Sequence, residues 1–256
     1  MTFELNKRQL KILEMVTEQG FVTIESLATY FGISQQTIRR DIILMDQHQF
    51  LCRFHGGAGI AQDQKRISYS DKQQVAVEAK MKMALKAMTL VKPSMTVFID
   101  VGTSAEALAR VLRTSEISPL RVVTASIIVA NILLDMPGAE ILVPGGSLKT
   151  TDGALVGGFV NQVLRSFRYD LGFIGGSGFD VNATLMDFDV EKVLVKHAAI
   201  ENSNKVVVLA DSGKYRRNAS IKVVGVEKMG YLVSDALPFG SLREQMQKAS
   251  VEVLVG

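Results

Sequence analysis

The chain has 256 residues, 47% of them hydrophobic, with a formal net charge of +3, one cysteine and no tryptophan. That suits a small domain joined to a larger one, with a core built mostly from Val, Ile, Leu, Met and Ala, and the mild basic excess alone does not indicate a nucleic-acid partner. A single cysteine excludes an intramolecular disulfide, no apolar run approaches the roughly 18 residues of a membrane span, and charges at Glu4, Lys7, Arg8 and Lys11 argue against a secretory signal, so a cytoplasmic location is expected.

Residues 7–19 place Leu10, Leu13 and Val16 or Met15 at helical spacing, and Gly20 stops that helix. Thr23 is a suitable N-cap for a second helix ending near Phe31. Gly32 supplies a tight turn, and Ser34 caps a third helix whose inward face is Ile38, Ile42 and Met45. Residues 50–55 have strand character and Gly56-Gly57 breaks them. Three helices followed by a hairpin are the plan of a winged helix-turn-helix over residues 1–58.

Gln35, Gln36, Thr37, Arg39 and Arg40 lie together on the third helix. Gln and Arg read base edges in a major groove, and Arg and Thr hold phosphates. Ser34 leaves the following amides facing outward, well placed for a phosphate. Asp41 is expected to cap or orient an arginine. Arg53 and His55 on the hairpin reach flanking phosphates or the minor groove, although His55 could equally brace the glycine turn. Six Lys and Arg balance six acidic residues in the first sixty positions, so the DNA reading rests on clustering. A solvated polar face is the alternative, and the capped turn with its hairpin weighs against it.

Residues 59–71 are polar and aperiodic, which predicts a linker. Residues 72–91 predict one long helix with Val75, Ala79 and Met83 on one side, stopped before Pro93. Strands are then expected at residues 96–100, 121–124, 140–143, 170–174 and 205–210. Helices are expected at residues 105–112, 127–134, 159–166 and 190–201. Residues 223–225 and 231–234 read as edge strands, followed by a helix at 242–248 and a strand at 251–255. Apolar strands alternating with helices predict an α/β domain over residues 72–256 with a mainly parallel sheet.

Several loops follow strands with glycines or hydroxyls. Gly102-Thr103-Ser104 opens a helix, and Thr124 and Ser126 repeat the arrangement. Gly145-Gly146 with Lys149, and Gly175-Gly176, come after later strands. Ligands of open α/β sheets bind at carboxyl strand ends, so these loops in register favour a phosphate-bearing ligand. Lys149 would carry the positive charge, with Lys196 and Lys214 as further candidates. Asp211 would orient Lys214 or bond a ligand hydroxyl. Surface solvation is the other reading for each lysine. Neither a dinucleotide nor a P-loop fingerprint occurs, and one Cys with three scattered His excludes a histidine–cysteine metal cluster, so no cofactor and no metal are expected.

At this point a resemblance becomes specific. Residues 37–41 (Thr-Ile-Arg-Arg-Asp) and 53–58 (Arg-Phe-His-Gly-Gly-Ala) resemble two signatures of the DeoR family of bacterial transcriptional regulators. The likeness continues through residues 100–104, beginning at Asp100, then Pro144-Gly145-Gly146 and residues 210–214, and spans about residues 7–235. It implies a winged reader joined to an effector domain similar to ribose-5-phosphate isomerase and related sugar-phosphate folds, with Asp100 among the effector-site residues. Residues 185–189, with 201–203 and 217–219, resemble the glycerol-3-phosphate branch of that family. That implies a small phosphorylated polyol or sugar as effector. Ala125, Gly213 and Lys192 depart from the family's pattern.

The leading expectation is therefore a repressor of a sugar or polyol operon, binding double-stranded operator DNA as a homodimer or homotetramer and modulated by a phosphorylated effector. A sugar-phosphate isomerase with an accessory DNA domain is the alternative, with Asp187, Asp189 or Glu191 as the base and Lys196 as partner. A third reading gives the larger domain only an oligomerising role.

Overall fold

The structure, a computed structural model, describes residues 5–19, 21–48, 50–54, 56–60, 69–74, 76–215, 217 and 219–256. The chain divides into two compact units, residues 1–66 and 67–256.

The smaller unit contains α1 (Lys7–Gln19), α2 (Ile24–Phe31) and α3 (Gln35–Gln47). Thr23 Oγ1 accepts the Ser26 N–H at 3.0 Å and Ser34 Oγ accepts the Thr37 N–H at 3.3 Å, so both expected caps form. Gly32 closes α2 at φ 65° and ψ 32°, a left-handed conformation that favours glycine. The inward face of α1 differs from expectation. Ile12 and Val16 are fully buried while Leu10 is 53% exposed. Gln9 takes an inward place instead, because its amide donates to Asp41 Oδ1 at 3.1 Å. The wing hairpin, β2 (Leu51–Phe54) with β3 (Gly57–Ile60), gains a third strand, β1 (Phe21–Thr23), in the antiparallel order β1-β3-β2. Ile38, Ile42, Met45, Leu51 and Ala58 join Ile12, Val16 and Leu27 in one core.

The larger unit begins with α4 (Tyr69–Gln74) and α5 (Val77–Met88), two helices where the periodicity predicts one. Ala76 breaks them at φ 55° and ψ 39°. A non-glycine residue there costs about 1 kcal/mol. Two tertiary hydrogen bonds offset it: Lys80 Nζ donates to the Lys72 carbonyl at 2.5 Å, and the Tyr69 hydroxyl donates to Glu106 Oε1 at 2.7 Å.

Seven strands make one sheet: β4 (Thr96–Ile99), β5 (Leu120–Val123), β6 (Ala139–Leu142), β9 (Tyr169–Gly175), β12 (Ser203–Leu209), β14 (Tyr231–Ser234) and β15 (Glu252–Val255). The order is β15-β14-β12-β9-β4-β5-β6 and every pair is parallel. Residues 231–234 are thus an interior strand, because β15 adds outside them. Residues 223–225 leave the main sheet: β13 (Ile221–Val224) pairs antiparallel with β11 (Leu185–Asp187), which also pairs with β10 (Gly178–Phe179). A further hairpin, β7 (Ser147–Lys149) with β8 (Ala154–Val156), was not foreseen from the pattern.

Alternate residues of each strand feed two cores, as the strand period of two requires. Val97, Ile99, Phe173, Val207 and Leu209 pack with α5, α6 (Thr103–Arg113) and α7 (Ile127–Leu133). Phe98, Ile174, Val206 and Val208 pack with α8 (Gly158–Arg165), α9 (Val190–Ile200) and α10 (Gly240–Lys248). Full burial of one such side chain contributes about 1.5–3 kcal/mol, which holds the strand ends in fixed register.

Candidate functional site

Two surfaces carry chemistry. The first lies on α3. Ile38, Ile42 and Met45 anchor its inner side, which leaves Gln35, Gln36, Arg39 and Arg40 exposed and Thr37 half-buried. The Ser34 and Thr37 hydroxyls meet at 3.0 Å and order the first turn. Asp41 does orient an arginine, but a distant one: Arg8 Nε donates to it at 2.6 Å and Arg8 Nη2 at 3.2 Å. With the Gln9 bond, this clamps α1 to α3 and leaves Arg39 and Arg40 outside the clamp. Arg53 is exposed on β2, and its N–H donates to Asp46 Oδ1 at 3.0 Å, tying the wing to α3. His55 lies outside the described residues. This face offers amides, glutamines and guanidinium groups over the first two turns of one helix, which suits base edges and phosphates.

The second surface lies at the carboxyl ends of β4 and β9, adjacent strands at which the connectivity reverses direction. That switch point opens a crevice in sheets of this kind. Asp100 follows β4 and is 1% exposed. Its Oδ2 accepts the Gly175 N–H at 2.9 Å and lies 3.3 Å from Lys196 Nζ. Lys196 also donates to Asp187 Oδ2 at 2.6 Å and to the Gly175 carbonyl at 2.8 Å. Asp187 Oδ1 accepts from the Ser177 hydroxyl at 2.8 Å. Burial alone would lower Lys196, but Asp100 and Asp187 outweigh it and hold the ammonium charged. Burial would likewise raise Asp187, and Lys196 overrides it, leaving that carboxyl well below its usual range. Burial pushes Asp100 up. Its Oδ1 and the Ser104 hydroxyl are buried with no hydrogen-bond partner among the described residues. Beside them the first amides of α6 have no intrahelical acceptor, and Gly102, at φ 115°, leaves the approach open.

The other expected effector residues fall into distinct roles. Asp211 and Lys214 sit 3.7 Å apart at the end of β12, so Asp211 orients Lys214. Lys149 is held by Asp189 at 3.1 Å and Glu191 at 2.6 Å, which pins the β7–β8 hairpin to the start of α9. Lys192, a departure from the family pattern, pairs with Asp152 on the same hairpin. Thr124 Oγ1 accepts the Ser126 N–H at 3.1 Å and Ser126 Oγ caps α7 at Val129 N, 3.2 Å, so both hydroxyl oxygens brace their own loop. A β-carbon at Gly176 would lie 2.6 Å from the Leu185 side chain, and one at Gly146 would lie 2.3 Å from Val160. Those two glycines permit close packing. Thr103 is half-buried on the first turn of α6, and Gly145 is exposed beside the Phe159 ring.

Sequence reasoning missed several residues that complete this end of the sheet: Tyr69, Lys72, Lys80, Glu106, Asp152 and Ser177. Asp187 entered only as a base for the isomerase reading. Lys80 and Glu106 carried a usable signal. Both are charged residues on apolar helical stripes, and both are buried, at 7% and 1% exposure. Lys72 is half-buried, and burial, with Lys214, Lys192 and Lys196 nearby, pushes it down to about 8 against the pull of Asp187. A groove at the opposite end of the sheet, between β12 and β14, is lined by exposed Glu201, Lys205, Glu227 and Lys228 and holds no such buried charge.

Residues 8–64 match the family model described as the DeoR-like helix-turn-helix domain, and residues 75–236 match the DeoR C terminal sensor domain. The glycerol-3-phosphate regulon repressor of Escherichia coli K12 is 34% identical over 232 residues, covering 91% of each chain. Among solved structures, the full-length sorbitol operon regulator SorC of Klebsiella pneumoniae aligns over 97% of this chain and 99% of its own, at 13% identity and TM-score 0.43. Ribose 5-phosphate isomerase A of Neisseria gonorrhoeae aligns over 58% and 55%, at 14% identity and TM-score 0.40.

Proposed function

The chain belongs to the DeoR family of transcriptional regulators, and from that premise we propose that its grip on operator DNA is set by a small phosphorylated sugar or polyol bound at the carboxyl ends of β4 and β9. Its place in that family makes it a DNA-binding regulator and removes the isomerase reading. Lys196 agrees with that assignment: held by two carboxylates and a carbonyl, it is a structural cation with no lone pair for proton transfer.

One observation carries the effector reading. Asp100 Oδ1 and Ser104 Oγ are buried without partners beside the open amides of α6. Buried polar atoms normally find partners, so a polar ligand is the economical occupant. The amides and Ser104 suit phosphate oxygens, and the raised Asp100 suits a ligand hydroxyl. Reading two operator half-sites requires at least a homodimer, with a homotetramer equally consistent. On the DNA side, Ser34, Gln35, Gln36, Thr37, Arg39, Arg40, Arg53 and His55 form the reading set.

The test uses a DNA fragment selected by the protein from a random library. Fluorescence anisotropy then follows operator binding while glycerol 3-phosphate, other sugar phosphates and their unphosphorylated counterparts are added. Phosphorylated compounds should change the affinity and the unphosphorylated ones should not. Ser104→Ala should shift the response to roughly ten- to hundredfold higher concentration, the worth of one hydrogen bond to a charged group. A wild-type response that Ser104→Ala leaves in place would sink the site assignment.

A further inference from the structure

We propose that Lys72 contacts the anionic group of the effector, and that α4 thereby ties ligand occupancy to the segment joining the DNA-reading unit to the larger unit. This rests on the reading that the strand-end site takes a phosphorylated ligand.

Three observations lead there. The first is placement. α4 is docked on the first turn of α6, because the Tyr69 hydroxyl donates to Glu106 Oε1 at 2.7 Å and Gln73 Nε2 donates to the Tyr69 oxygen at 3.0 Å. That turn begins at Gly102 and carries the orphaned Ser104 hydroxyl. Lys80 Nζ holds the Lys72 carbonyl at 2.5 Å, which fixes the Lys72 backbone.

The second is charge. Asp187, Lys192, Lys196 and Lys214 all act on the Lys72 ammonium. Three of these four are cations, and each has its own carboxylate: Lys196 has Asp100 and Asp187, Lys192 has Asp152, and Lys214 has Asp211. Among the described residues no carboxylate lies within ion-pairing distance of Lys72. A half-buried ammonium within the field of other ammonium groups is well matched to a dianion.

The third is chain order. α4 is the first helix of the larger unit, and residues 61–68 lead into it directly from β3. A ligand that engages Lys72 holds α4 more firmly and so biases the tether between the two units. Differential affinity for the held state is all that a population shift requires.

The experiment uses the full chain. Isothermal titration measures binding of inorganic phosphate, glycerol 3-phosphate and glycerol to wild type, Lys72→Ala and Lys72→Arg. Amide hydrogen exchange follows residues 69–74 with and without glycerol 3-phosphate. Lys72→Ala should bind glycerol 3-phosphate at least tenfold more weakly, and Lys72→Arg should stay within about threefold of wild type, since the charge is what matters. Ligand-induced protection of residues 69–74 should appear in wild type and vanish in Lys72→Ala. Operator response should move to higher ligand concentration by the same factor as the binding loss. Wild-type binding retained by Lys72→Ala within twofold, or ligand protection of residues 69–74 unchanged, overturns this inference alone. Failure of wild type to bind either phosphate probe overturns the effector reading and this inference with it. A Lys72→Arg variant as weak as Lys72→Ala, with both melting like wild type, also counts against a charge contact.

Discussion

The two chemical surfaces treat charge in opposite ways. On α3 the arginines stand in solvent, and the one buried acid, Asp41, is satisfied by Arg8 and Gln9. At the ends of β4 and β9 the charges are buried in a chain of pairs, with Asp100 Oδ1, Ser104 Oγ and, on the β7–β8 hairpin, Asp152 Oδ1 left without a partner among the described residues. An exposed set suits a partner that arrives as a large polyanion and supplies its own counter-charge. A buried, nearly satisfied set suits a small ligand that completes it. Substitution should therefore cost binding on the first surface and stability on the second.

The largest expected effect is at Lys196. Lys196→Met strands Asp100 and Asp187 in the interior, and breaking a buried pair in this way costs about 3–5 kcal/mol. Urea unfolding of the larger unit's transition should show that loss. A change under about 1 kcal/mol would mean that the carboxylates find water, and the contrast between the surfaces would fail. Next is Arg40→Ala, which should weaken operator binding by about 1–3 kcal/mol while leaving stability within about 0.5 kcal/mol. Anisotropy and thermal melting on the same sample separate the two.

The last effect is a pH dependence, seen only above about pH 8. Burial holds Lys72 at about 8 in the folded chain, below the ordinary lysine value of 10.5. The unfolded chain therefore binds more protons between those values, so this residue makes stability rise with pH from about 8 to 10.5. Below pH 8 both states are protonated and the dependence from this group is absent. Comparing wild type with Lys72→Gln isolates it, and identical slopes above pH 8 would remove Lys72 from the buried cluster.

The exposed polar face of α3 was legible because its logic is local. Ser34, Gln35, Gln36, Thr37, Arg39 and Arg40 fall on the cap and first two turns of α3, and the helical spacing of Ile38, Ile42 and Met45 turns the opposite side inward. Asp41 shows where local reasoning stops: that it would hold an arginine was legible, but the arginine is 33 positions away. At the strand ends, Asp100, through the family resemblance, and Gly102, Ser104, Gly175 and Lys196, from the loops, were legible as candidates, yet Lys149 and Lys192 pin a hairpin that no hydrophobic pattern announced. The break at Ala76 was equally hidden, since periodicity runs on through it and only the bonds to Glu106 and Lys80 favour the turn.

The sequence by itself determined the two-unit plan, the helix caps, the parallel strands and the exposed polar face of α3, because propensity, capping and periodicity act over a few neighbours. Only the tertiary structure decided which lysine meets which carboxylate, which buried polar oxygens stay unpartnered among the described residues, and that α4 folds onto the first turn of α6. Those outcomes depend on pairings across tens of residues in a low-dielectric interior, where a change of partner reverses whether a charge is satisfied, costly or waiting for a ligand.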